Sequence, residues 1–191
     1  MSRALATLAL LALAMACSGG ATAPPTLLRV PDFTLTDQAG QPLRAHDLEG
    51  KIWVADFFFT SCPTICPVLT TQLKNLSHRL GDHGEDLRIV SFSVDPHTDT
   101  PEVLSAYAQR FSLDTRHWSL LTGPPAEMRR VVESFRVAMG EPVQREGGGY
   151  DIVHDTHFVL VDRARHLRGY YPHDGEGIDR LARDTLHLLN E

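Results

Sequence analysis

Apolar residues in this chain come in two kinds of run, and the two kinds take turns. Ile52–Phe59 is almost continuously apolar and rich in aromatics, the pattern of a strand covered on both faces. Leu69, Leu73, Leu76 and Leu80 then recur at intervals of 4, 3 and 4, which predicts an amphipathic helix stopped by Gly81. Leu87–Val94 reads as a second buried strand. Thr100 is placed to cap a helix with Pro101 at its first position and with Val103, Leu104, Tyr107 and Phe111 inward. Trp118–Leu121 reads as a short strand, and Pro124–Met139 as a helix burying Met128, Val131, Val132 and Phe135 and ended by Gly140. Glu141–Tyr150, with three consecutive glycines, is expected to be a long flexible connection. Phe158–Asp162 and Leu167–Tyr171 predict a hairpin. A last amphipathic helix over Ile178–Leu189 turns Ile178, Leu181, Ala182 and Leu189 inward, interrupted by Thr185. Ahead of all this, Phe33–Leu43 reads as a hairpin turning at Gln38-Ala39-Gly40.

Strands and helices alternate, and an antiparallel hairpin with a helix closes the chain. That order predicts an α/β domain with a mixed central sheet flanked by helices on both faces, as in thioredoxin-like folds, plus an N-terminal hairpin. The length of 191 residues leaves room for one such domain and a tail. With 18 basic against 24 acidic side chains and no Lys/Arg block, nucleic acid is excluded as the main partner. Three cysteines are too few for a disulfide scaffold.

The first residues are set apart. Met1-Ser2-Arg3 gives a short positive start, and Ala4–Ala16 is apolar except for Thr7. Thirteen residues at about 1.5 Å each do not cross a hydrocarbon core of roughly 30 Å, so the run reads as part of an export signal. Small residues then precede Cys17, and Ser18–Pro31 is Gly/Ala/Pro-rich without periodicity, a tether by composition. This resembles a bacterial lipoprotein signal in which Cys17 becomes the lipid-bearing N-terminus, although Ala14 stands where such signals most often carry Leu. Ordinary cleavage nearby, releasing a soluble periplasmic protein, is the alternative. The expected organisation is a signal peptide over 1–16, a lipid-anchored flexible tether over 17–30 and one domain over 31–191. Such a chain is exported to the periplasmic side of a bacterial membrane, where thiols tend to oxidise, and a long tether suits a monomer reaching for its partner.

The chemistry centres on Thr60-Ser61-Cys62-Pro63-Thr64-Ile65-Cys66-Pro67, between a predicted buried strand and a helix. Ligands bind at this place in open α/β sheets, and a helix N-terminus favours thiolate over thiol. Four-residue spacing on a helical turn puts both sulfurs on one face, where they share a metal or form a disulfide. Two sulfurs leave a metal short of donors. Of ten histidines, His46, His78, His83, His97, His117, His166, His173 and His187 fall in loops, helix ends or polar faces. His154-Asp155-Thr156-His157 differs, because it enters a core strand where thioredoxin-like enzymes place a proline opposite the two cysteines. Soft thiolates with one imidazole suit Cu(I), and thiolates also take zinc.

In these features the chain resembles the Sco/SenC family of copper-binding, thioredoxin-like proteins that help assemble cytochrome c oxidase. The shared features are Cys62, Cys66 and Pro67, then Ser93-Val94-Asp95-Pro96 with Asp99-Thr100-Pro101-Glu102. Downstream, His154 precedes Phe158–Asp162, and Arg168-Gly169-Tyr170-Tyr171 follows. The resemblance implies that Cys62, Cys66 and His154, rather than His157, ligate copper as Cu(I) or also Cu(II). It implies delivery to the apo copper-A subunit of cytochrome c oxidase, supported by a copper donor and a thiol reductant. Arg165 departs from the family, which usually has glycine there, and leaves the turn type open. Asp155 is placed to orient a ligand imidazole, or to be a solvated carboxylate. Two other readings use the same sulfurs: a thiol-disulfide oxidoreductase with Cys62 and Cys66 as its redox pair, and a peroxidase, which lacks the usual residues before the cysteine.

Overall fold

The computed structural model describes residues 23–146 and 148–191. The signal segment and Cys17 lie outside the described residues. Five strands form the central sheet: β3 (Ile52–Phe58), β4 (Leu87–Ser93), β5 (Trp118–Leu121), β8 (Phe158–Val161) and β9 (Leu167–Tyr171), in the order β5-β4-β3-β8-β9. β3, β4 and β5 are parallel, while β8 and β9 run antiparallel to their neighbours. Four α-helices, α1 (Ile65–Leu80), α2 (Pro101–Phe111), α3 (Pro125–Ser134) and α4 (Gly175–Leu189), cover it. The fold is thioredoxin-like, a mixed sheet between helical layers, as the order of apolar runs predicted.

Every residue of β3 is buried, because alternate side chains enter two different cores. Trp53 and Phe57 meet Phe92 of β4 and Phe135 at the end of α3, with ring centroids 5.4–6.4 Å apart. On the other face Phe58 packs on Tyr107 of α2, whose hydroxyl bonds Thr70 of α1 at 2.8 Å. Asp56 shares that second face. It lies opposite Ser91, whose hydroxyl donates to its carboxylate, and Trp118 Nε1 donates to Ser91 in turn at 2.8 Å.

The N-terminal hairpin, β1 (Thr34–Thr36) with β2 (Pro42–Arg44), is where expected. Asp37 closes its turn by accepting from the N–H groups of Ala39 and Gln41, both at 2.8 Å, and Gly40 supplies a positive φ. Gln38 is buried rather than exposed at the turn. Its amide accepts from Leu120 N–H at 2.8 Å and donates to Trp118 O at 3.3 Å, stitching the hairpin to the β5 edge.

Three expectations need correction. The helix expected over Pro124–Met139 ends at Ser134, because Arg136 takes a φ of 58° that a continuing helix does not allow. Residues 141–150 are not a flexible connection either. β6 (Met139–Gln144) pairs antiparallel with β7 (Tyr150–His154), and the glycines turn the hairpin, Gly148 and Gly149 at φ 100° and 77°. The described part of the expected tether is not free. From Pro24 it docks: Leu27 N–H donates to Leu167 O and Val30 N–H to Arg165 O, both at 2.8 Å, and the Arg168 guanidinium grips Pro24 O at 2.7 Å.

Arg165 occupies the left-handed region, φ 65°, in the β8–β9 turn where glycine would sit without strain. Its side chain is 3% exposed and lies 2.7 Å from Asp32 Oδ1 and 3.1 Å from Glu49 Oε1, the latter an ion-pair distance without hydrogen-bond alignment. The arginine thus ties the turn to the docked N-terminal segment, a role glycine does not offer.

Candidate metal centre

β3 and β4 run parallel and end together, so the loops that follow them, β3–α1 and β4–α2, lie side by side. Asp99, fully buried in the second loop, joins them. It accepts from the N–H of Thr60 at 3.2 Å, from the Thr60 hydroxyl, and from the Ser93 hydroxyl at 2.6 Å. Burial raises its pKa above the ordinary carboxylate value, opposed by these donors.

Cys62 stands in the β3–α1 loop, before the helix and not on it, whereas Cys66 is the second residue of α1. The two sulfurs therefore do not share a helical face as the spacing suggested. The loop curls back instead, so that the N–H of Cys66 donates to Cys62 Sγ at 3.5 Å. The thiol of Cys66 and the N–H groups of Cys66, Thr64 and Ile65 stabilise negative charge on Cys62, drawing its pKa down to about 5. Cys66, acting as donor and buried in apolar surroundings, is pushed strongly upward. Neither cysteine is in a disulfide.

His154 comes from β7, not from the core strand β8, and closes the arrangement. Its Nε2 lies 3.9 Å from Cys66 Sγ. Its Nδ1 lies 2.8 Å from the carbonyl oxygen of Asp155, which only accepts, so Nδ1 carries the proton and the Nε2 lone pair faces the sulfur. A sulfur and a nitrogen bound to one ion at about 2.3 and 2.0 Å stand roughly 3.5–3.8 Å apart, so this pair needs only a small shift. Among the described residues no three His, Cys, Asp or Glu side chains already form a closed metal cage. The three donors stand as two pairs sharing Cys66.

The neighbouring residues are sorted by the same geometry. His157 is turned to the Asp155 carboxylate, which accepts from its N–H at 2.9 Å and from its Nδ1. Asp155 thus orients His154 through its backbone carbonyl, while its carboxylate serves His157. Two residues that the pattern along the chain did not single out also line the centre. The Phe59 ring meets the His154 imidazole edge-on at 6.0 Å and stacks on Tyr150 at 6.4 Å. Tyr150 in turn reaches Asp95 and Thr98 of the β4–α2 loop. The signal was present in the Ser93–Asp99 motif, but the contact joins residues far apart in sequence.

The model for the family described as SCO1/SenC matches residues 22–190. The SCO1 protein homolog of Bacillus subtilis is 35% identical over 147 residues, covering 76% of this chain and 75% of its own. The structure of Bradyrhizobium japonicum ScoI with copper bound superposes with a TM-score of 0.74 at 27% identity, covering 84% of this chain and 99% of that one. A SCO1/SenC family lipoprotein from Bacillus anthracis gives the same TM-score of 0.74 at 34% identity, over 84% of this chain and 94% of its own.

Proposed function

Because the chain belongs to the SCO1/SenC family, we propose that it is a copper chaperone: Cys62, Cys66 and His154 bind one copper and pass it to the copper-A subunit of cytochrome c oxidase. The observation that carries this reading is the His154 imidazole, tautomer set, facing Cys66 at 3.9 Å. Two thiolates and one imidazole form a soft, three-donor set suited to Cu(I), and the same donors accept Cu(II) at greater cost. A copper ion held by three ligands leaves a coordination position through which a partner's ligand enters before a chaperone ligand departs. The similarity to a copper-bound Sco structure supports copper over zinc.

Both sulfurs must be reduced to bind, so the cycle requires a thiol reductant as well as a copper donor. Export and lipid attachment at Cys17 would hold the domain at the periplasmic side of the membrane, and the similarity to a family lipoprotein supports this. Among the described residues no helix is long and apolar enough to cross a membrane.

The ionised Cys62 beside Cys66 favours a second reading on the same atoms. As a thiol-disulfide oxidoreductase, Cys62 thiolate attacks a partner disulfide. Cys66 then resolves the mixed disulfide, leaving a Cys62–Cys66 bond and two partner thiols. Mixing copper-loaded protein with a reduced, apo copper-A fragment separates the readings. Copper moving to the fragment supports the chaperone. Copper retained, together with reduction of an oxidised fragment by metal-free protein, supports the oxidoreductase.

A further inference from the structure

His154 rides on the β6–β7 hairpin, which among the described residues shares no strand pairing with the central sheet. Its distance from Cys66 therefore depends on what holds that hairpin to the body. At the base, Ile152 is buried and Met139 packs against the core, while the bond from the Asp155 N–H to Ala138 O at 3.2 Å ties the two arms of the hairpin to each other. Toward α3 there is the Arg129–Glu141 pair at 2.7 Å, exposed and so of little weight. Beside the contact of the His154 ring with Phe59, the hold on the loops of the metal centre is Tyr150. Its hydroxyl donates to the Asp95 carboxylate, and lies 2.8 Å from Thr98 Oγ1 and 3.5 Å from Ser61 Oγ, one residue before Cys62. Its ring lies parallel to Phe59, at an interplanar angle of 15°. One side chain at the start of β7 thus touches both loops of the metal centre.

The sulfurs themselves are covered: Cys62 is 4% exposed and Cys66 0%. Little of either is open to solvent, and the hairpin that carries His154 is joined to the body by side chains and not by sheet pairing. We propose that Tyr150 is a positioning residue, a latch whose hydroxyl keeps the hairpin closed over the sulfurs and His154 Nε2 facing Cys66. With the latch closed, three donors surround the metal. With Tyr150 released from Asp95 and Thr98, the hairpin swings away, takes His154 with it and opens the two sulfurs to a partner. The proposal rests on Cys62, Cys66 and His154 being the copper site.

Tyr150→Phe keeps the stacked ring and removes only the hydroxyl. Asp95→Ala removes the acceptor from the opposite side, and the loop survives because the Asp95 carbonyl, not its carboxylate, accepts from Thr98 and Asp99 N–H groups at 3.1 and 2.9 Å. Two quantities are read on the full chain: the rate at which a Cu(I) chelator strips the loaded protein, and amide hydrogen exchange over residues 139–154. Each variant is expected to strip about tenfold faster, the loss of one hydrogen bond to a charged group, and to exchange faster across the hairpin. In a His154→Ala background Tyr150→Phe is expected to add nothing to stripping, because the latch acts through the histidine. Unchanged stripping and exchange in Tyr150→Phe, or equal acceleration without His154, overturns the latch. If His154→Ala alone strips no faster than wild type, the copper-site reading fails. The exchange data then decide the hold of Tyr150 on the hairpin by themselves, faster exchange upholding that hold and unchanged exchange overturning it.

Discussion

The imidazole of His154 faces the sulfur of Cys66 at 3.9 Å, although 88 positions separate the two in sequence. The carbonyl of Asp155 sets the ring's tautomer, so the nitrogen presented to the sulfur is the one with a free lone pair. A surface histidine that met a buried cysteine by accident would not need its second nitrogen fixed in this way. Metal-binding imidazoles commonly have this kind of support.

The cysteines should titrate far apart. In reduced, metal-free protein Cys62 is expected to ionise near its lowered pKa of about 5, while Cys66 stays protonated through neutral pH. Thiolate absorbance followed against pH checks this: one step near 5, absent in Cys62→Ser. A single step near the ordinary thiol value of about 8.5 would show that the α1 N-terminus and the Cys66 thiol do not stabilise the charge.

Asp56 makes stability depend on pH in a direction unusual for a carboxylate. Burial pushes its pKa up to about 7, opposed by the Ser91 hydroxyl, so the folded state holds this proton more tightly than the unfolded chain. The resulting stability is complete below the unfolded value of about 3.9 and is lost as pH rises through about 7. Asp56→Asn keeps an acceptor for Ser91 and never ionises. It is expected to stabilise the protein by on the order of 2–4 kcal/mol at about pH 8, and by well under about 1 kcal/mol at about pH 4, near the unfolded value. Thermal unfolding at the two pH values checks the difference. Equal effects at both would contradict it.

The docking of residues 24–30 rests on Arg168, whose guanidinium reaches Pro24 O, Pro25 O and Asp162 Oδ2. Arg168→Ala is expected to free this strap, so that the Leu27 and Val30 amides exchange at the rate of an open chain and the segment is cut by proteases. Retained protection at Leu27 and Val30 would show that their own bonds to Leu167 and Arg165 suffice.

What could be read along the chain was whatever has a period or a local signature. The all-apolar β3, the leucine spacing of α1 and the Thr100-Pro101 cap each follow from neighbours a few residues apart, and each element formed where expected. Cys62 and Cys66 stood out for the same local reason. The departures share a physical cause. Arg136 and Arg165 take positive φ values that arginine seldom adopts, so no residue type announced the end of α3, and the β8–β9 hairpin was expected while its turn type stayed open. β6 is mostly exposed and β7 half-buried, neither with clean alternation, and glycines that suggested flexibility instead supply a tight turn. Pro24 and Leu27 dock through backbone atoms, which composition does not reveal. Tyr150 and Asp56 acquire their roles from partners 55 and 35 positions away, and only the fold brings those together.

The central claim is that Cys62, Cys66 and His154 form one copper site, and an anaerobic Cu(I) titration against a competing chelator tests it most directly. Reduced wild-type protein, Cys62→Ser, Cys66→Ser and His154→Ala are measured side by side. One tight equivalent in wild type, lost sharply in either cysteine variant and weakened measurably, by about tenfold or more, in His154→Ala, is the predicted result. Binding that is the same in wild type and His154→Ala would contradict the three-donor site and leave Cys62 and Cys66 as a redox pair.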